Sequence, residues 1–330
     1  MTMQRSLALI VILLGPTGAI AADSLALKQT IVLKGKAGGL DHLALDVKRD
    51  RLFLANKANN SLDIVDLKAG KLLQQVRNQG GIQGIAYAAD LDKVCVGLGS
   101  GGFCNIFNGK DYKTLKTIKF ADDADNVRYN PKTNTIYVAH AEKALGVINA
   151  KTYEKKPDIS LSGGAEGFEL EKERPLLYLC VPSTNEVAVI DTDKNKIIRS
   201  YKIEKAEKNY TVALDEPNHR LFIGCRGKRP MVVVMDTETG KEFAGVEIPA
   251  DNDDLIFDAK RKRLYAACGD GYIAVIKQKD TDTYELVEKI ATVKGAKTCT
   301  FNPETGRLYL GVPRQKGKDG PEIRVYQARP

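Results

Sequence analysis

Histidine is scarce in this chain of 330 residues, which holds three: His42, His140 and His219. His42 directly follows Asp41, and an imidazole beside carboxylates can serve as a general base with an orienting partner. Starting from Asp41, steps of 42, 42, 41, 44, 43 and 44 residues reach Gln83, Asp125, Glu166, Tyr210, Asp253 and Lys297. With their successors these form the pairs Asp41-His42, Gln83-Gly84, Asp125-Asn126, Glu166-Gly167, Tyr210-Thr211, Asp253-Asp254 and Lys297-Thr298. Five of the fourteen residues are acidic, where average usage would place about two. Carboxylate and amide oxygens drawn from several segments suit Ca²⁺ or Mg²⁺. Asp41, Glu166 and Asp253 are therefore candidate metal ligands, and His42 and Glu166 candidate catalytic groups. The candidate ligand-binding set is Asp41, His42, Asp125, Asn126, His140, Tyr210, Asp253, Asp254 and Lys297. The same residue types also cap turns by bonding local backbone, and the sequence leaves both readings open.

The element that must position these pairs repeats with the same period. A β-branched or aromatic tetrad closing on a small residue recurs as RLFLA from Arg51, KVCVG from Lys93, TIYVA from Thr135, LLYLC from Leu176, RLFIG from Arg220, RLYAA from Arg263 and RLYLG from Arg307. A period in the low forties with short strands between turns marks a β-propeller blade. Each repeat divides into four strands, as in Asp41–Asp46, Arg51–Asn56, Ser61–Asp66 and Lys71–Arg77, or Glu166–Leu170, Leu176–Val181, Glu186–Asp191 and Lys196–Ile203. Asx and Gly chemistry reverses the chain at Asp191–Asn195 and at Asp236–Gly240. The expected fold is all-β: a seven-bladed propeller with four antiparallel strands per blade. Blades span about 38–78, 81–120, 124–161, 164–203, 208–248, 251–291 and 295–330. The last has three strands of its own, ending in Glu322–Gln327, while the strand at residues 26–33 has no partner in the first. Docking that strand on the last blade closes the ring and removes exposed sheet edges.

In such a ring, the segments that open each inner strand share one face with the loops joining the second and third strands. That face, the mouth of the central channel, collects the seven pairs and His140. His219 falls on the opposite face. The basic clusters Arg226-Gly227-Lys228-Arg229 and Arg314–Lys318 belong to mouth-face loops and read as solvated, because few aromatics interleave them for base stacking.

The segments Leu52–Val76 and Leu177–Ile203 resemble the YVTN repeat of bacterial seven-bladed propellers. The likeness extends over residues 22–330, and the chain departs from the pattern in its third and sixth blades and its cysteines. The resemblance implies the fold, an exported setting and a binding role, and more distantly relates the chain to lactonase-type enzymes whose metal lies at the channel mouth. The absence of Trp sets it apart from WD40 and quinone-dehydrogenase blades, which lean on a repeated Trp.

Residues 1–21 stand outside the repeat. Arg5, the apolar run Leu7–Leu14 and the small residues Ala19-Ile20-Ala21 read as a signal peptide cleaved after Ala21. The chain is thus expected to be periplasmic or secreted, with no membrane span in the mature part. The six cysteines, Cys95, Cys104, Cys180, Cys225, Cys268 and Cys299, show no CxxC spacing, which argues against simple zinc and covalent haem sites. Export permits disulfides, and Cys95 and Cys104 face each other if Gly99-Ser100 is a hairpin turn; buried thiols are the alternative. Gly97–Gly102 fits GxGxxG, but a strand follows it where a dinucleotide site needs a helix. Net charge is +8, which suggests attraction to anionic surfaces without marking a nucleic-acid binder. The expected function is a ligand- or protein-binding or scaffolding module acting through the mouth face. One alternative is a metal-assisted hydrolase, lactonase or lyase using Asp41, His42, Glu166 and Asp253. The other is anionic-polymer binding.

Overall fold

The computed structural model describes residues 24–140 and 143–330; the expected signal peptide lies outside them. Seven four-stranded antiparallel sheets are found among these residues, and no helix is long and apolar enough to cross a membrane. The first blade is Leu43–Asp46, Arg51–Asn56, Ser61–Asp66 and Lys71–Val76, and the fourth is Phe168–Leu170, Leu176–Val181, Glu186–Asp191 and Lys196–Lys202. The expected third and sixth blades are four-stranded like the rest. Leu25–Val32 forms the outer strand of the last blade, antiparallel to Glu322–Ala328 from Leu25↔Ala328 to Val32↔Glu322. Ring closure follows the expected route.

The repeat has a packing cause. Its third residue is Phe53, Cys95, Tyr137, Tyr178, Phe222, Tyr265 or Tyr309 in successive blades, and each is buried in the apolar core between its own blade and the next. The hydrophobic core is therefore seven seams rather than one central mass. An aromatic supplies a large buried area per residue, which explains its recurrence at this position. Cys95 is the small exception, and Phe120 from the edge of the same blade fills that seam.

Turn chemistry holds the blades in register. Asp191 Oδ1 accepts from the backbone N–H of Asp193 and Lys194, and Asp236 Oδ1 from those of Glu238 and Thr239. These are the Asx turns expected from sequence. The glycine-rich segment is a hairpin turn between Leu98 and Phe103. Its register pairs Gly97 with Cys104 and Cys95 with Ile106, so the two cysteines are offset rather than directly opposed. All six cysteines are buried free thiols, and the disulfide expectation gives way to the buried-thiol alternative.

Candidate functional site

The seven inner strands neighbour one another around the ring, and one of the expected pairs stands at the start of each. In the first, fourth and seventh blades the pair precedes the strand, whereas Asp125, Tyr210 and Asp253 lie inside strands whose register breaks beside them. Such an irregularity re-aims a side chain out of the regular alternation. Close approach of neighbouring blades depends on glycine at two of the second positions. A Cβ at Gly84 would collide with the carbonyl oxygen of Asp125, and one at Gly167 with that of Tyr210. The Gly167 N–H instead donates to the Tyr210 carbonyl at 2.9 Å.

Below the rim is a cavity of about 340 Å³ whose lining includes His42, Asn126, Gly167, Thr211, Asp253 and Asp254. These are second members of the expected pairs, joined by Asp253. Deeper in, Arg128 and Glu169 face each other at 3.7 Å, a pairing within the inner strands that sequence inspection missed. Burial pushes the Glu169 carboxyl above its ordinary range, with Arg128 opposing.

His42 is the cationic centre of the mouth. Its Nδ1 lies 3.2 Å from Asp254 Oδ1 and its Nε2 3.7 Å from Asp41 Oδ1. Burial disfavours the imidazolium, but Asp254, then Asp41 and Asp253, overcome that and raise its pKa to about 10. At neutral pH His42 carries its proton, so the expected general base is an acid-form cation instead. Asp254 Oδ2 also accepts from the Cys299 N–H at 2.8 Å. Lys57 donates to Gln83 at 2.6 Å and stands 3.6 Å from Asp41; Gln83 in turn donates to Asp123 at 2.7 Å. Burial raises the Asp41 pKa, with His42 opposing and Asp253 adding to it.

A second cluster surrounds Asp253. Arg226 forms an ion pair with one of its oxygens, and Lys297 Nζ lies 3.1 Å from the other. Burial works against the Asp253 charge, yet Arg226, His42 and Lys297 hold its carboxyl below the ordinary range. The Arg226 guanidinium stacks over Tyr210 at 4.2 Å. Arg226 is thus a mouth residue rather than part of a solvated basic loop, and its neighbour Asp251 joins it at 3.8 Å. The signal that could have found it was position: Arg226 directly follows a second strand, on the same face as the pairs.

Two carboxylates are left over. Among the described residues, the side chains of Asp125 and Glu166 make no hydrogen bond and no ion pair. Burial raises Glu166 to about 8, with Asp125 the next contributor, while burial and nearby carboxylates bring Asp125 to about 6 against the pull of His42. Asn126, 4% exposed, has an Oδ1 with no hydrogen-bond partner. A buried polar atom without a partner is costly and calls for an explanation.

His140 goes elsewhere. It is buried, its ring packs against Phe120 at 5.0 Å, and its Nε2 lies 3.3 Å from Asp158 on the outer strand of its own blade. It helps to fill the seam between the second and third blades and does not line the cavity. His219 sits on the opposite face as expected, beside a groove of about 680 Å³ that includes Leu214, Phe257 and Phe301. The three expected metal ligands are also divided. Asp253 is already taken by two cations, and among the described residues no three His, Cys, Asp or Glu side chains are grouped to hold a metal ion. Asp41, Glu166 and Asp253 therefore do not fit a divalent ion as a set.

No family model matches the chain, and no curated protein matches it. Among solved structures, it is similar to the hydrazine synthase of Kuenenia stuttgartiensis, with a TM-score of 0.74 and 19% identity over 84% of this chain and 94% of that one. It is also similar to the WD40 repeats of RRP9, with a TM-score of 0.79 and 13% identity over 93% of this chain and 99% of that one. At such identities the likeness is one of fold, and it establishes the seven-bladed β-propeller.

Proposed function

We propose that this chain is an exported propeller of the YVTN-repeat type that binds a small molecule or a protein partner at its channel mouth. The repeat segments Leu52–Val76 and Leu177–Ile203 support the family, and the apolar run Leu7–Leu14 before Ala19-Ile20-Ala21 supports export to a periplasmic or secreted location. The observation that carries the binding role is Asn126. Its side chain lines the cavity beside His42, Asp253 and Asp254, and its Oδ1 is buried without a partner, in a concave site with a few placed polar groups. A hydrolase, lactonase or lyase built on His42 would need that residue to accept a proton. With a pKa near 10 it already holds one at neutral pH, and this favours binding over base catalysis.

Thermal-shift screening of the mature chain against a broad small-molecule library tests the reading. A ligand present at 100 times its Kd stabilises the folded state by about 2.7 kcal/mol, a clear rise in Tm. The substitution Asn126→Leu should abolish the shift. Ligands that stabilise the Asn126→Leu protein as strongly as the wild type would place binding away from the mouth.

A further inference from the structure

We propose that the groove on the face opposite the mouth is a second ligand site. It takes a small aromatic carboxylate, the ring against the apolar wall and the anion met by an unpaired lysine of the same groove, Lys172 or Lys260. This site is independent of the mouth reading.

The groove, of about 680 Å³, lies where the inner strands Phe168–Leu170, Asn209–Asp215, Asn252–Asp258 and Cys299–Asn302 end. Small-molecule pockets measure about 300–1,000 Å³. It has Ile256 and Thr300 in common with the mouth cavity and no other lining residue. Its apolar wall stands where the repeat breaks. Four positions after the first member of their pairs, the second and third blades carry Tyr87 and Tyr129, whose hydroxyls donate to Asp92 and Asp90 at 2.9 Å. The fifth, sixth and seventh blades carry Leu214, Phe257 and Phe301 there. All three are half-buried and line the groove, with no polar side-chain atom. Phe257 and Phe301 are backed by Phe222 and Tyr265, with ring centroids 5.0 and 5.8 Å apart, so the wall is fixed before a ligand arrives. Aromatic side chains favour an aromatic partner beyond the area that it buries.

The charges sort the ligand by sign. Of the five lining carboxylates, four are engaged. Glu171 accepts from Arg174 at 2.6 Å, and Asp258 from Arg261 at 2.9 Å. Asp215 accepts from Asn218 at 2.8 Å and Gln278 at 2.9 Å, while Glu216 accepts from the Lys172 backbone N–H at 2.9 Å. Among the lining cations, Arg174 is taken by Glu171 and Glu238, and His219 lies 3.7 Å from Glu238. Among the described residues, the ammonium groups of Lys172 and Lys260 make no hydrogen bond and no ion pair, and neither does the Glu173 carboxylate. The unengaged charge is therefore a positive surplus beside an apolar wall. A flexible lysine stem lets the ammonium follow an incoming anion. An organic cation would meet the two ammonium groups as like charges, and a neutral ligand would use only the wall.

Isothermal titration calorimetry of the mature protein with 2-naphthoate, and with the neutral isostere 2-naphthamide, tests this. Saturable binding of the naphthoate is expected, about two- to fivefold tighter than the amide, the range of an exposed ion pair. Replacing Lys172 and Lys260 together by Gln should remove that preference and leave amide binding unchanged. Ala259 is exposed on the groove wall. Ala259→Trp should fill the groove and weaken both ligands by about tenfold or more through lost apolar burial. Ligand-free melting confirms that each variant folds; the lysine replacements alter only exposed side chains. Absence of naphthoate binding overturns the proposal, as does equal or tighter binding of the amide. A preference for the naphthoate that survives the double lysine replacement overturns it too. Naphthoate binding lost in Asn126→Leu but kept in Ala259→Trp would place the ligand at the mouth and likewise overturn the groove site.

Discussion

Proton occupancy at single residues makes the mouth measurable. His42 is raised from an ordinary 6.5 to about 10, against its own burial, by Asp254 and its neighbours. A raised histidine contributes stability that is fully present below pH 6.5 and lost as pH rises through about 10. Glu166, raised by burial and Asp125 from 4.5 to about 8, binds its proton more tightly in the folded state. Stability consequently falls as pH rises between those values. Urea denaturation across pH should show a decline over both windows. Glu166→Gln should flatten the lower one, and His42→Gln the upper one. An unchanged slope in Glu166→Gln would contradict the raised carboxyl. The thiols offer a second residue-scale test. Burial pushes Cys104, Cys225 and Cys268 up to about 12 and raises the other three as well. Because the thiolate is the reactive form, native protein should be inert to a thiol-specific reagent. All six should react after denaturation without reductant, and fewer would mean that disulfides had formed.

At the scale of elements, the pairs come together only because the inner strands approach closely. Gly84 is the clearest case, since any Cβ there meets the Asp125 carbonyl of the adjoining blade. Gly84→Ala should cost about 1–3 kcal/mol, the range for overpacking a close contact, and should displace Asp125 along with its strand. Gly39, where a Cβ would meet nothing within 4 Å, is the control. Gly39→Ala should be neutral or slightly stabilising, because it lowers the entropy of the unfolded chain. Chemical denaturation of the two variants side by side checks the contrast. The Asx turns at Asp191 and Asp236 were legible in sequence because they bond to backbone only two or three residues away. The strand breaks beside Asp125 and Asp253 were not, because they answer to a neighbouring strand.

For the whole molecule, closure is the decisive feature. Leu25–Val32 completes the last blade, and Ile31 and Leu33 enter the seam between the seventh and first blades. Removing residues 24–33 from the mature chain should lower Tm and leave Glu322–Ala328 as an open sheet edge, a template for intermolecular pairing. Size-exclusion chromatography at several concentrations should then reveal self-association absent from the parent. A monomeric deletion variant with the parent Tm would show that the strand is dispensable.

Read from sequence alone, the chain determines its blade count, strand order, Asx turns and ring closure. Each depends on short-range turn chemistry or on a residue type repeated at a fixed interval, such as the aromatic buried at every seam but one. The seven pairs came from the same periodicity. What their side chains do was decided only by tertiary structure. Whether His42 is a base or a cation depends on Asp254, which is 212 positions away and two blades around the ring. Whether His140 faces the channel or the seam depends on Asp158 and Phe120. Arg226 became a mouth residue because Asp253 and Tyr210 stand opposite it. Charge state and pairing are set by through-space distance and burial, and a linear period carries neither.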